Sequence, residues 1–236
     1  MGVVMLAFSL MFTLCGARQE EKGFIVDVPS SPLPAQWSAQ TRSSSQSLER
    51  NEVDGWTVQT YKGNRGMERV ERAIDPYNPN NHVLKAFCNL NPAREEKGEI
   101  ICSLYPVGGQ MIPLIGNFQG ATIKAKVFVP TGGLGSPDAP SGFQLILKSR
   151  PGYKNYYSYW ENVPEERRWF GVSATPPVGG WVDAGFDASR VLMVGVKMGL
   201  SSDATREFRG EILIDDFEVT GPDGKTIAKW DFEPKG

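Results

Sequence analysis

An all-β, antiparallel β-sandwich is the fold class this sequence predicts, and three observations predict it. Short segments of alternating apolar and polar residues recur from Leu48 to the end of the chain. Their connections carry hairpin chemistry: Asp54-Gly55, Asp75-Pro76 to Asn81, Thr131-Gly132-Gly133, Pro151-Gly152 and Asp223-Gly224. No stretch sustains a helical apolar period, so there are no crossover helices from which to build a parallel sheet.

In chain order the strand segments are GWTVQTY, MERVERAI, NHVLKAFCNL, GEIICSLYP, ATIKAKVFVP, GFQLILKS, NYYSYWENV, RWFGVSA, RVLMVGVKM, FRGEILIDDFEV and TIAKWDF. Trp56, Val58 and Thr60 stand against Thr57, Gln59 and Tyr61; Ile123, Ala125, Val127 and Val129 stand against Thr122, Lys124 and Lys126. Short strands in this number pack as a two-sheet sandwich or jelly roll.

The 236 residues leave room for a leader and a linker before one sizeable domain. Val3 to Leu14 is an apolar run too short to span a bilayer and placed as the core of an export signal. With small residues at Cys15-Gly16-Ala17, residues 1–17 read as a signal peptide, implying a secreted, periplasmic or cell-surface location. No Lys or Arg precedes the run. Phe12-Thr13-Leu14-Cys15 is a weak lipoprotein pattern that would instead anchor Cys15 to lipid; no integral membrane span is expected. Residues 18–46, rich in Ser, Pro and Gln around an isolated Trp37, read as a tether, and residues 47–236 as the sandwich.

Cys88 and Cys102 fall in two segments joined by the turn-like NPAREEKG. A hairpin about residue 95 would bring them together as a disulfide, in keeping with export; two ordinary buried thiols are the alternative.

The charge balance excludes some functions. With 25 basic and 27 acidic residues there is no basic excess to neutralise phosphates, which argues against nucleic acid as a partner. His82 is the single histidine and opens a strand after an Asn-rich turn, leaving Ser-His-Asp and Cys-His schemes without a base. The His and Cys clusters that zinc needs are missing. Glu95-Glu96, Glu165-Glu166 and Asp215-Asp216 are adjacent pairs that would point to opposite faces of a strand rather than across a cleft, so the sequence argues against an enzyme.

The densest chemistry lies in PGYKNYYSYWENVPEERRWF. Alternation puts Tyr157 and Tyr159 on one face and Tyr156 with Trp160 on the other, so one set enters the core and one faces outward. Exposed flat rings stack on the C–H face of a pyranose while neighbouring polar side chains bond its hydroxyls. The expected ligand-binding set is Trp160 with Tyr156 beside it, Tyr153 and Tyr157 at the margin, and Glu161, Asn162 and Gln144 as hydrogen-bonding neighbours, with Lys148 and Asn155 nearby. The expected ligand is a polysaccharide or oligosaccharide. Core filling is the alternative for these rings and the expected role of Trp56 and Trp169.

The order LERNEVDGWTV, DPYNPNNHVLKAFC, KAKVFVP, GFQLILKS, WENVP, RWFGVSATPP, RVLMVGVKMG and GEILIDDFEV resembles the jelly-roll carbohydrate-binding modules appended to bacterial cellulases, xylanases and mannanases, which share a galactose-binding-like sandwich. The resemblance covers about residues 47–220. It implies non-catalytic glycan binding and a structural calcium (Ca2+) between the first and last strands, with Glu49 and one of Asp215 or Asp216 as the matching acids. Phe217 and Val219 set a core-facing register that would bury Asp215, and Arg50, standing where the modules carry an acid, would satisfy it without metal. A secreted or surface protein-interaction domain, and a glycoside hydrolase or polysaccharide lyase with an unrecognised site, are the competing classes.

Overall fold

Each of the eleven alternating segments forms strand in the structure, a computed structural model that describes residues 52–60, 65–94, 97–107, 110–114, 116–130, 135–136, 139–140, 142–163, 167–200 and 204–234. The leader, the tether, Cys15, Glu49 and Arg50 lie outside the described residues. The strands are β1 (Glu52–Val53), β2 (Trp56–Gln59), β3 (Met67–Asp75), β4 (Asn78–Leu90), β5 (Lys97–Cys102), β6 (Leu104–Val107), β7 (Gln110–Pro113), β8 (Thr122–Phe128), β9 (Gly135–Ser136), β10 (Ala139–Pro140), β11 (Gly142–Ser149), β12 (Lys154–Tyr157), β13 (Glu161–Asn162), β14 (Phe170–Ala174), β15 (Trp181–Val182), β16 (Val191–Gly199), β17 (Phe208–Thr220) and β18 (Thr226–Trp230).

Two antiparallel sheets form the sandwich. One has eight strands in the order β1-β2-β5-β16-β11-β12-β15, with β13 joining β11; the other has six, β14-β8-β17-β4-β3, with β18 joining β17. The chain crosses repeatedly between them: β3 and β4 lie in the six-stranded sheet, β5 in the eight-stranded one, then β8, β11, β14, β16 and β17 alternate. That alternation is the jelly-roll connection.

The inner faces meet in one core. Leu145, Leu147, Val194 and Val196 come from one sheet, and Ile123, Ala125, Val127, Ile212 and Ile214 from the other. Trp56 lies at one end of this core, with its ring edge-on to Phe217, Trp230 and Phe232 at 5.0, 5.8 and 5.8 Å. Val83, Phe128, Trp169 and Leu213 form a second cluster on the outer face of the six-stranded sheet. Trp56 and Trp169 thus fill cores, as the sequence suggested.

The hairpin about residue 95 does not form. β4 pairs with β3 and β17, whereas β5 pairs with β2 and β16 in the opposite sheet. Cys88 and Cys102 are both free, buried thiols. Cys88 Sγ lies 3.2 Å from Met67 Sδ and 3.3 Å from Met198 Sδ, while Cys102 Sγ donates to Leu104 O at 2.9 Å. Cys102 is paired with Val194, four residues from Met198, which puts the two sulfurs about 13 Å apart along the sheet. A disulfide is excluded on that geometry.

A bulge also moves Asp215. Its partner in β8 is Lys126, but three residues later Glu218 faces Lys124, and Asp216 between them has φ +45°. The extra residue inverts the alternation, so Phe217 and Val219 face the core while Asp215 is buried on the outer face of the six-stranded sheet.

Candidate functional site

A second bulge sets the geometry of the aromatic segment. On β11, Ile146 faces Tyr157 and Phe143 faces Glu161, so four steps on one side match three on the other. The extra residue falls between Tyr157 and Glu161, where Ser158 is held three times: its N–H donates to Leu145 O at 2.9 Å, its hydroxyl accepts from Leu145 N at 2.8 Å, and its carbonyl accepts from Gln144 Nε2 at 2.7 Å. Alternation therefore changes phase before Trp160.

Tyr156 turns inward, is fully buried and donates its hydroxyl to Val178 O at 2.9 Å, so it cannot share a platform with Trp160. Trp160 stands on the outer face of the eight-stranded sheet, 42% exposed, over Gly199. A Cβ at Gly199 would come within 3.1 Å of the indole and 3.2 Å of Lys97 Cγ, so the missing side chain is what lets Trp160 lie down on the sheet. Asn162, Gly142, Gly199 and Lys97 form one cross-strand row beneath it.

Next to that row lie Gln144, Lys197, Glu99 and Gln59, and next again Trp181, Tyr157, Ile146, Gly195, Ile101 and Thr57. Lys148, one pair further along β11, reaches back across the side-chain-free Gly195: its Nζ donates to Gln59 Oε1 at 2.5 Å and lies 3.4 Å from Glu99 Oε2. Lys197 Nζ is 3.3 Å from Glu99 Oε1 and 4.1 Å from the centre of the Tyr157 ring. One face of Tyr157 is thereby occupied by a cation. Glu99 is fully buried between the two lysines. Burial lowers the Lys197 pKa, and the Glu99 charge opposes that shift.

Trp181 escaped the sequence reading. It is 66% exposed on the edge strand β15, opposite Tyr157. Its Nε1 donates to Asp183 Oδ1 at 3.2 Å, and Asp183 Oδ2 accepts from Asn155 N at 2.9 Å and Asn155 Nδ2 at 2.7 Å. Hydrogen bonding from the Asn155 N–H holds the Asp183 carboxyl below its ordinary range. Gly179 and Gly180, at φ +78° and +74°, make the turn that delivers Trp181, and a Cβ at Gly180 would collide with the Tyr157 carbonyl. The Gly-Gly-Trp triplet was the available signal.

The structure gathers Trp160, Tyr157, Asn162 and Gln144 on one face and separates the rest of the expected set. Tyr153 is exposed in the β11–β12 turn, about 20 Å along the strands from Trp160. Glu161 shares the register of inward-facing Phe143 and lines a small cleft of about 100 Å³ at the sandwich edge with Tyr156, Ser158, Tyr159, Ser173 and Val178.

Of the expected calcium ligands, the structure describes Asp215 and Asp216. Asp216 is ion-paired with Lys126 at 2.7 Å and Lys229 at 3.2 Å. Asp215 accepts from Asn81 Nδ2 at 2.9 Å and from the Asp216 N–H at 2.7 Å. Glu49 and Arg50 lie outside the described residues, and among the described residues no three His, Cys, Asp or Glu side chains come together. No described helix is long and apolar enough to cross a membrane.

No protein-family profile and no curated protein matches the chain. Among solved structures, the chain is similar to CBM27-1 of Caldicellulosiruptor saccharolyticus in complex with mannohexaose, at 12% identity and a TM-score of 0.45 over 71% of this chain and 90% of that one. It is similar also to CBM28, a carbohydrate-binding module specific for non-crystalline cellulose, at 10% identity and a TM-score of 0.42 over 71% and 88%. A third similarity is to an exo-β-agarase, at 10% identity and a TM-score of 0.43, over 71% of this chain and 24% of the enzyme.

Proposed function

We propose that this protein binds a polysaccharide or oligosaccharide, without catalysis, on the outer face of its eight-stranded sheet. In this reading residues 47–236 are the binding domain, carried on the tether 18–46 behind the export signal 1–17, and the protein works outside the cytoplasm. The observation that carries the reading is the placement of two exposed indoles, Trp160 and Trp181, on one sheet face. Beside them runs a polar row, Gln144, Lys197, Glu99 and Gln59, in which Lys197 and Gln59 are half-exposed and Gln144 and Glu99, with Lys148, are buried as support. Flat rings supply stacking area, and the half-exposed polar side chains beside them are placed to bond hydroxyls.

Native affinity electrophoresis of the full chain through gels carrying a panel of plant and microbial polysaccharides tests the proposal. Retardation by one or more of them is expected, and unchanged mobility across a broad panel would contradict it. Val178 and Val182, both exposed beside Trp181, favour a second reading in which a protein docks at this edge. Such docking would not be displaced by soluble glycan.

A further inference from the structure

We infer that the glycan taken by this face is acidic, its carboxylate or sulfate groups being received by the lysines of the central strands; the inference rests on the carbohydrate-binding reading above. β5, β16 and β11 carry Lys97, Lys197 and Lys148 on the outer side of the sheet, with Lys97 and Lys197 half-exposed, Lys148 buried beneath, and buried Glu99 as the one acid among them. That leaves two more positive than negative charges at the centre of the face, in a chain whose formal net charge is −2. The remaining acids of this face among the described residues stand at its borders. Glu52 is on the outermost strand β1, and Asp183, just beyond β15, already accepts from Asn155 and Trp181.

The lysines are placed for use by a ligand on the indoles. Lys97 and Trp160 meet over Gly199, so the ammonium of Lys97 is within side-chain reach of a sugar stacked on that ring. Lys197 lies between Tyr157 and Glu99 in the middle of the strip. It is desolvated, and its pKa is lowered even with Glu99 beside it, so an incoming anion would relieve a charge the protein only partly compensates. Neutral hydroxyls would be served by amides such as the half-exposed Gln59; charge-assisted bonds to an anion are the chemistry a lysine excess adds.

Affinity electrophoresis of the full chain is run with polygalacturonate, alginate, carrageenan, galactomannan and hydroxyethylcellulose as separate probes. At least one polyanion is expected to retard the protein, less so as ionic strength rises. The polyuronate and sulfated gels then distinguish carboxylate from sulfate recognition. Lys197→Gln is expected to weaken that binding about tenfold, the loss of one charge-assisted contact. Lys97→Gln, at a half-buried position, gives a second reading should the first variant fail to fold, and Lys225→Gln, in the exposed β17–β18 turn, should change nothing. Retardation only by the neutral galactomannan or hydroxyethylcellulose would overturn the acidic ligand and leave carbohydrate binding standing. Retardation by none of the probes would overturn both, and polyanion binding undiminished in the Lys97→Gln and Lys197→Gln variants would overturn the role of the lysines.

Discussion

Trp181 and Tyr157 are direct cross-strand partners in the β12–β15 ladder, so both rings rise from the same face of the eight-stranded sheet, one capped by Lys197 and the other open. The open ring is held by its N–H bond to Asp183, which Asn155 fixes in turn. A platform oriented before the ligand arrives loses less entropy on binding. Asp183→Ala is therefore expected to weaken glycan retardation severalfold while costing about 1 kcal/mol of stability. Equal retardation by the variant would show that the indole needs no anchor.

The tryptophans should separate by role. Trp56 is fully buried against Phe217, Trp230 and Phe232, so Trp56→Ala should cost roughly 3–5 kcal/mol through cavity formation. Denaturant midpoints measured on Trp56→Ala and Trp181→Ala check this, and a comparable loss in both would place Trp181 in a core.

Both described cysteines should carry free thiols. Burial pushes Cys102 up to about 12 and Cys88 well above its ordinary value, so neither is a ready thiolate. Thiol labelling should be slow in the native protein and should reach both residues in guanidinium. Failure to label them in non-reducing denaturant would restore the disulfide and displace β4 from β5 as they stand here.

Asp215 makes stability depend on pH. Burial raises its carboxyl from 3.8 to about 6, so between those values the folded chain holds a proton that the unfolded chain has released. Its contribution is full below about pH 4, declines as pH rises through about 6, and is gone above that, a swing of roughly 3 kcal/mol. Asp215→Asn should remove that decline when melting is followed from pH 4 to 7. A parallel profile for wild type and variant would contradict the assignment. Excess chelator should leave the wild-type melt unchanged; a lower melting temperature would put a cation at Asp215 after all.

The strands were legible because apolar alternation and turn chemistry are local, and every alternating segment pairs in a sheet. What the sequence hid were two single-residue insertions. At Asp216 and again between Tyr157 and Glu161, a bulge inverts which side of the strand faces the core, and alternation counted through it puts Asp215 and Trp160 on the wrong faces. The crossing from β4 to β5 was hidden for a different reason. The polar connection NPAREEKG reads like a hairpin turn but joins opposite sheets, a choice made by long-range packing. Lys197 and Glu99 were marked in sequence as charges inside apolar strands, yet their meeting depends on the β16–β5 register, which no local pattern reveals.

Whether Trp160 and Trp181 form one binding face is read by affinity electrophoresis paired with thermal melting on Trp160→Ala and Trp181→Ala. Each variant is expected to lose retardation by whichever glycan retards the wild type, with a melting shift of no more than about 4 °C, because each ring is exposed. Undiminished retardation in both variants, at wild-type stability, would contradict a shared binding face and move the ligand off this sheet.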